Sequence, residues 1–241
     1  MTGRGGGLHG ASGAARDATG APTLVLLGLL AVGISACWRT GEPTPSAGLV
    51  TWAAYPDSVR VGATFSFEFA GPISGTACGR LDTALLAVTE TEIVIEARRS
   101  TFRAVCANQR ISFYEARPIA LERAGRYAVR TAGGRSLGTL VATDSGAFSA
   151  IGTRGEGTVR EAGGCWLFGP GWVGNQRVFS LSGAPEGIKE MSETDRIVHV
   201  EGRLRGFTTC GSWGSRPRIE VDTAWVTDRR GADWYSTDAR R

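Results

Sequence analysis

Apolar and polar residues alternate along much of the chain, and the alternation has the two-residue period of half-buried strands. In TFSFEF, Phe65, Phe67 and Phe69 share one face while Ser66 and Glu68 take the other. In EIVIEA, Ile93, Ile95 and Ala97 align in the same way. ISFYEA, PIALE, GRYAVRT and SLGTLVA continue the series as far as Asp144, with turn residues such as Gly133-Gly134 between them. This spacing of short strands predicts a β-sandwich over residues 50–145.

A second series occupies residues 150–227. GTVRE (Gly157–Glu161), CWLFG (Cys165–Gly169), RVFSLSG (Arg177–Gly183), RIVHVEGRLRG (Arg196–Gly206) and RIEVDTAW (Arg218–Trp225) are predicted as five strands. APEGIKEMSETD, before the fourth of them, has room for a short helical turn. Five strands with a small helix in that place fit an OB-type barrel. GTRGEG, Gly152 to Gly157, leads into a strand rather than a helix whose N-terminus receives a phosphate, and is expected to be a turn. The expected fold class is therefore all-β, a sandwich followed by a small five-stranded barrel, with residues 228–241 as a C-terminal tail.

One segment breaks the alternation. In TLVLLGLLAVGISACWRT, Thr23 to Thr40, the stretch from Leu24 to Ser35 is uncharged and apolar or small throughout. It is too short to span a bilayer, which needs about 18–20 apolar residues. It has the length of the apolar core of a secretory signal and is preceded by Arg4 and Arg16. Residues 1–36 are therefore expected to be a signal peptide. Ile34-Ser35-Ala36-Cys37 resembles the lipobox of bacterial lipoproteins, an aliphatic and two small residues before a cysteine. The resemblance implies cleavage before Cys37 and lipidation of that cysteine as the new N-terminus. An ordinary secreted protein with an incidental Cys37 is the alternative. Residues 37–49, with RTGEPTPSAG from Arg39 to Gly48, are expected to be a solvated tether. On this reading the chain is held on a membrane by its lipid, in the extracytoplasmic cell envelope.

Two further resemblances bear on architecture. LERAGRYAVRT, Leu121 to Thr131, resembles the strand entry of immunoglobulin-like domains, where a glycine turn precedes a tyrosine-bearing strand. This implies that Tyr127 is a corner tyrosine bonded back to the preceding loop; an ordinary core tyrosine is the alternative. Antibody domains carry a cysteine two residues later, where this chain has Val129. The second block resembles small exported bacterial OB-like domains. The matching residues are Gly164-Cys165-Trp166, Leu181 to Pro185, Val198 to Gly202, and Cys210-Gly211. That resemblance implies a fold and no particular activity.

Composition adds limits. Lys189 is the lone lysine among 27 basic residues, a bias typical of GC-rich genomes, and the net charge is +4. So mild a charge gives no support for a nucleic-acid partner, which would want a concentrated basic stripe, and none is expected. Cys78, Cys106, Cys165 and Cys210 are even in number, and in an oxidising compartment predict two disulfides with three possible pairings. Their division between blocks favours Cys78 with Cys106 and Cys165 with Cys210. Zinc is disfavoured because no close ligand pair exists among them. Neither a metal nor a cofactor is expected.

Candidate chemistry is sparse. Beyond the leader, His199 is the sole histidine; it lies on the strand face opposite Val198 and Val200, beside Glu201, and is expected to face solvent. No HExxH, EF-hand or GxSxG pattern occurs. Asp195, Asp222 and Asp228 supply a glycosidase pair only if the fold brings two together. The second block is dense in aromatics, Trp166, Phe168, Trp172, Phe179, Phe207 and Trp213, with Arg177, Arg203 and Arg205 among them. Trp166 is expected in the core beside a disulfide. Trp172, at the tip of the glycine-rich FGPGWVGNQ, is the candidate contact for a ligand or partner. The expected function is non-catalytic binding of an envelope protein or glycan. A structural or assembly component, or a hydrolase without a readable site, are the alternatives.

Overall fold

A computed structural model describes residues 44–102, 104–171, 177–183, 187 and 196–230. In chain order its strands are β1 (Thr44–Gly48), β2 (Trp52–Pro56), β3 (Ser58–Arg60), β4 (Phe65–Ser74), β5 (Gly79–Val88), β6 (Glu92–Thr101) and β7 (Ile111–Ile119). They continue with β8 (Gly125–Thr131), β9 (Ser136–Thr143), β10 (Ile151–Ala162), β11 (Cys165–Gly169), β12 (Phe179–Ser182), β13 (Arg196–Thr209) and β14 (Ser215–Arg230). The described residues contain no α-helix; a single 3-10 turn, Gly211–Trp213, joins β13 to β14.

The strands form two sheets. One runs β1-β6-β8-β9-β3, with β5 also on β6; the other runs β11-β12-β14-β13-β10-β2-β4-β7. Alternation places the phenylalanines of β4 as expected, with Phe65, Phe67 and Phe69 buried and Ser66 exposed. They meet Ile93 and Ile95 of β6, Val129 of β8 and Leu140 of β9 in one apolar core between the sheets. Tyr55 of β2 stacks on Phe67 at 5.0 Å, and Phe113 of β7 meets Phe69 edge-on at 6.2 Å. The hydroxyl of Tyr127 donates to the Arg123 carbonyl at 2.9 Å, the backward bond expected of it. Two pairs in the first sheet are parallel, β6 with β8 and β3 with β9.

In the second block the pairing path returns to its start. β10 is antiparallel to both β11 and β13, β11 to β12, and β13 to β14, while β12 and β14 run parallel. Trp52, Phe168, Phe179, Val198, Val200 and Ile219 fill a second apolar core.

The boundary expected near residues 145–150 falls in the connection from β9 to β10, and the sheet continues across it. β10 pairs with β2 from Ile151↔Pro56 to Gly155↔Trp52. Here the expected turn GTRGEG is instead the first half of a strand. Glycine makes that pairing possible. Gly155 has φ +140°, and a β-carbon on it would lie 2.2 Å from the Thr51 carbonyl oxygen. The expected tether also differs, since its second half is β1, paired with β6 from Thr44↔Thr101 to Gly48↔Ala97. β6 extends beyond the end of β8, and β1 supplies the backbone partners its edge needs there.

The cysteines pair within blocks, Cys78 with Cys106 and Cys165 with Cys210, with Cα–Cα separations of 5.6 and 5.5 Å. Cys37, Trp172, the leader, the first half of the tether, most of APEGIKEMSETD and the chain after Arg230 lie outside the described residues.

Candidate functional site

Of the acidic trio, Asp195 is outside the described residues, while Asp222 and Asp228 are both exposed on β14. Six strand residues separate these two by about 20 Å, beyond the roughly 5–9.5 Å that glycosidase carboxylates need. Among the described residues no cluster of three or more His, Cys, Asp or Glu side chains is placed to hold a metal ion. His199 lies only partly in solvent. It stacks on Trp225 of β14 at 4.1 Å and its Nε2 is 3.2 Å from Glu201 Oε1.

The aromatic and arginine residues of the second block separate by role. Phe168 and Phe179 are fully buried, and Trp166 packs against the same core, half-buried. Phe207 is 69% exposed. The cause is local. β13 shifts register between Leu204 and Phe207, and Gly206 within the shift has φ +59°. Such a bulge re-aims the next side chain, and Phe207 comes to lie beside Pro217, its partner on β14.

Phe207 and Pro217 form one wall of a groove of about 440 Å³, completed by Tyr114, Arg177, Val178, Ser215 and Arg216. Tyr114 comes from β7 of the first block, 63 residues before Arg177 in the sequence, so residues from both blocks build the groove. Its ring contacts Trp52 at 6.3 Å and its hydroxyl donates to the Glu68 carboxylate. Burial, reinforced by that carboxylate, pushes the Tyr114 phenol above its ordinary value, so it stays a protonated donor at any physiological pH. The Arg177 guanidinium lies over Tyr114 at 5.3 Å and over Phe179 at 5.7 Å.

The other end of the groove is held by the 3-10 turn. Trp213 N–H donates to the Cys210 carbonyl at 2.9 Å, and Cys210 N–H to Gly214 at 3.0 Å. The Cys165–Cys210 disulfide pins that turn to the start of β11. Trp213 carries a guanidinium from each of two strands, Arg160 at 4.8 Å and Arg216 at 5.7 Å. Such contacts are worth about 0.5–2 kcal/mol.

Charge distinguishes this groove from a second cleft. Where β8 and β1 meet along β6, a cleft of about 730 Å³ is lined by Glu96, Arg99, Thr131, Arg135 and Arg229 among others. Its charges are already satisfied. Arg135 holds Glu156 at 2.6 Å, Glu96 accepts from Arg98 at 2.6 Å, and Arg99 donates to the Ile73 carbonyl. Around the groove, by contrast, Arg160, Arg177 and Arg216 rest on aromatic faces, and among the described residues no carboxylate forms an ion pair with any of them. The Nε of Arg216 is buried and has no hydrogen-bond partner among the described residues.

The sequence reading picked out Phe207, Trp213 and Arg177 but missed Tyr114, Arg160 and Arg216. Only the closure of β14 beside β12 and the junction with β7 bring these six together. Arg205, also singled out, pairs with Glu220 at 3.3 Å, and Arg203 is exposed outside the groove. Compared with protein families, with characterised proteins and with solved structures, the chain matches none.

Proposed function

We propose that the mature protein is a lipid-anchored, extracytoplasmic bacterial lipoprotein that acts by binding, through the groove between Tyr114, Arg177, Phe207 and Arg216. One observation carries the binding reading: three arginines lie over aromatic rings and, among the described residues, form no ion pair with a carboxylate, beside an exposed phenylalanine. Other arginines of the described surface do pair with carboxylates, Arg98 with Glu96 and Arg135 with Glu156. The anchor rests on the apolar run from Leu24 and on Cys37 behind Ile34-Ser35-Ala36.

The cycle of pairings through β10, β11, β12, β14 and β13, with its parallel β12–β14 step, supports an OB-like barrel for the second block. The Tyr127 bond supports an immunoglobulin-like reading of the first, although its two parallel pairs depart from wholly antiparallel sheets.

Two measurements test the proposal. Cys37→Ser is expected to move the protein from the membrane to the soluble fraction, and an unchanged partition rejects the anchor. The released protein is expected to co-sediment with purified cell envelopes, and Arg177→Gln with Phe207→Ala to abolish this without lowering Tm. Equal sedimentation of that variant rejects the groove as the contact surface.

A further inference from the structure

We infer that the groove is an oxyanion site, in which Arg177 and Arg216 grip a carboxylate or phosphate while the ligand's apolar face rests on Phe207 and Pro217. This rests on the groove being the binding surface and names the chemistry of what it takes.

The argument starts from Arg216. A guanidinium is charged at every relevant pH and carries five donors in a fixed plane. Among the described residues the Nε–H of Arg216 is buried without an acceptor, a costly arrangement that marks this guanidinium as under-satisfied. Its guanidinium lies over the Trp213 ring at 5.7 Å, a contact that restricts the side chain. Arg177 is held on Tyr114 and Phe179 across the same groove. A cation–π contact uses none of a guanidinium's N–H donors, and the planar fork of those donors matches two oxygens of one anion.

The walls agree. Among the described residues no acidic side chain lines the groove, and the nearby Glu68 carboxylate already accepts the Tyr114 hydroxyl. Ser215 adds a hydroxyl. Phe207 beside Pro217 offers an apolar surface to a ring. The volume, about 440 Å³, falls within the roughly 300–1,000 Å³ of small-molecule sites. The ligand this fits is a small acid, or the acidic unit of a polymer: a sugar acid or a phosphorylated sugar.

Titration calorimetry on the full protein with glucuronate, glucose 6-phosphate and glucose tests it. At least one anion is expected to bind about tenfold or more tighter than glucose, and to weaken as salt is raised. Glucuronate alone identifies the carboxylate as the group recognised, and glucose 6-phosphate alone the phosphate. Arg216→Gln is expected to weaken that anion about tenfold or more, Arg216→Lys to do so less, and Arg203→Gln, outside the groove, to change nothing. Because Arg216→Gln also touches Trp213, Arg177→Gln with Tm recorded is the second variant; the same loss without a lower Tm supports the site. Glucose binding as tightly as the anions, or no binding by any of the three, overturns the oxyanion inference. The envelope-sedimentation result then decides separately whether the groove binds at all.

Discussion

Tyr55 is 1% exposed, and its hydroxyl donates to the Leu137 carbonyl at 2.7 Å across the two sheets. Burial pushes its phenol up to about 12 from 10.0, with Arg154 opposing. The folded protein therefore keeps a proton that the unfolded chain releases above pH 10. Stability contributed by this group is complete below pH 10 and is lost as pH rises through 12. The loss is about 2–3 kcal/mol, and the partly buried Tyr114 shifts in the same direction. Urea melts between pH 9 and 12 are expected to show Cm falling steeply above about pH 10. Tyr55→Phe is expected to be less stable at pH 7, by about 1 kcal/mol for the lost bond, and to show a shallower alkaline slope.

At the scale of the element, the Cys165–Cys210 disulfide closes a 45-residue separation and fixes the turn that carries Trp213. Replacing both cysteines with alanine is expected to lower stability by about 3–4 kcal/mol in the chain-entropy model. It should also shift the intrinsic fluorescence, because Trp213 loses its fixed place between Arg160 and Arg216. A variant with unchanged emission and Tm counts against this. Elements were legible wherever a strand has one wet face, as in β4 and β6, because burial then writes period two into the sequence. The first half of β10 was not. Its pattern, IGTRGEG, carries glycines where β2 and β11 approach; a β-carbon on Gly157 would lie 2.4 Å from the Phe168 ring. Close packing there removes the side chains that would have marked a strand, and what is left resembles a turn. The groove was half legible for a related reason. Phe207 and Arg177 stand out by type, but Tyr114 and Arg216 acquire meaning only from partners distant in the sequence.

At the scale of the molecule, the strand ladder that joins the two halves of the larger sheet is the pairing of β2 with β10. Gly155→Val places a branched side chain against the Thr51 and Trp52 backbone, 2.2 and 2.5 Å from where its β-carbon begins, at a φ of +140°. Overpacking and strain together are expected to cost about 2–5 kcal/mol. The signature to look for is protease cleavage at residues 144–150, together with a lower Tm; a variant as resistant as wild type rejects this account of the seam.

That same pairing has a consequence in time. Tyr55 lies opposite Gly152, so β2 meets its partner only after nearly a hundred further residues have been made available. A chain synthesised N-terminus first delivers the sandwich strands well ahead of β10. Until then one edge of β2 has no neighbour, and Trp52, fully buried in the finished fold, lacks the cover that Phe179 and the late strands give it. Closure of such distant contacts is slow, on the order of milliseconds to seconds for β-rich domains. The early strands must wait for the late ones, and the interval before β10 arrives is when this protein is most open to proteases and to the unpaired strands of its neighbours.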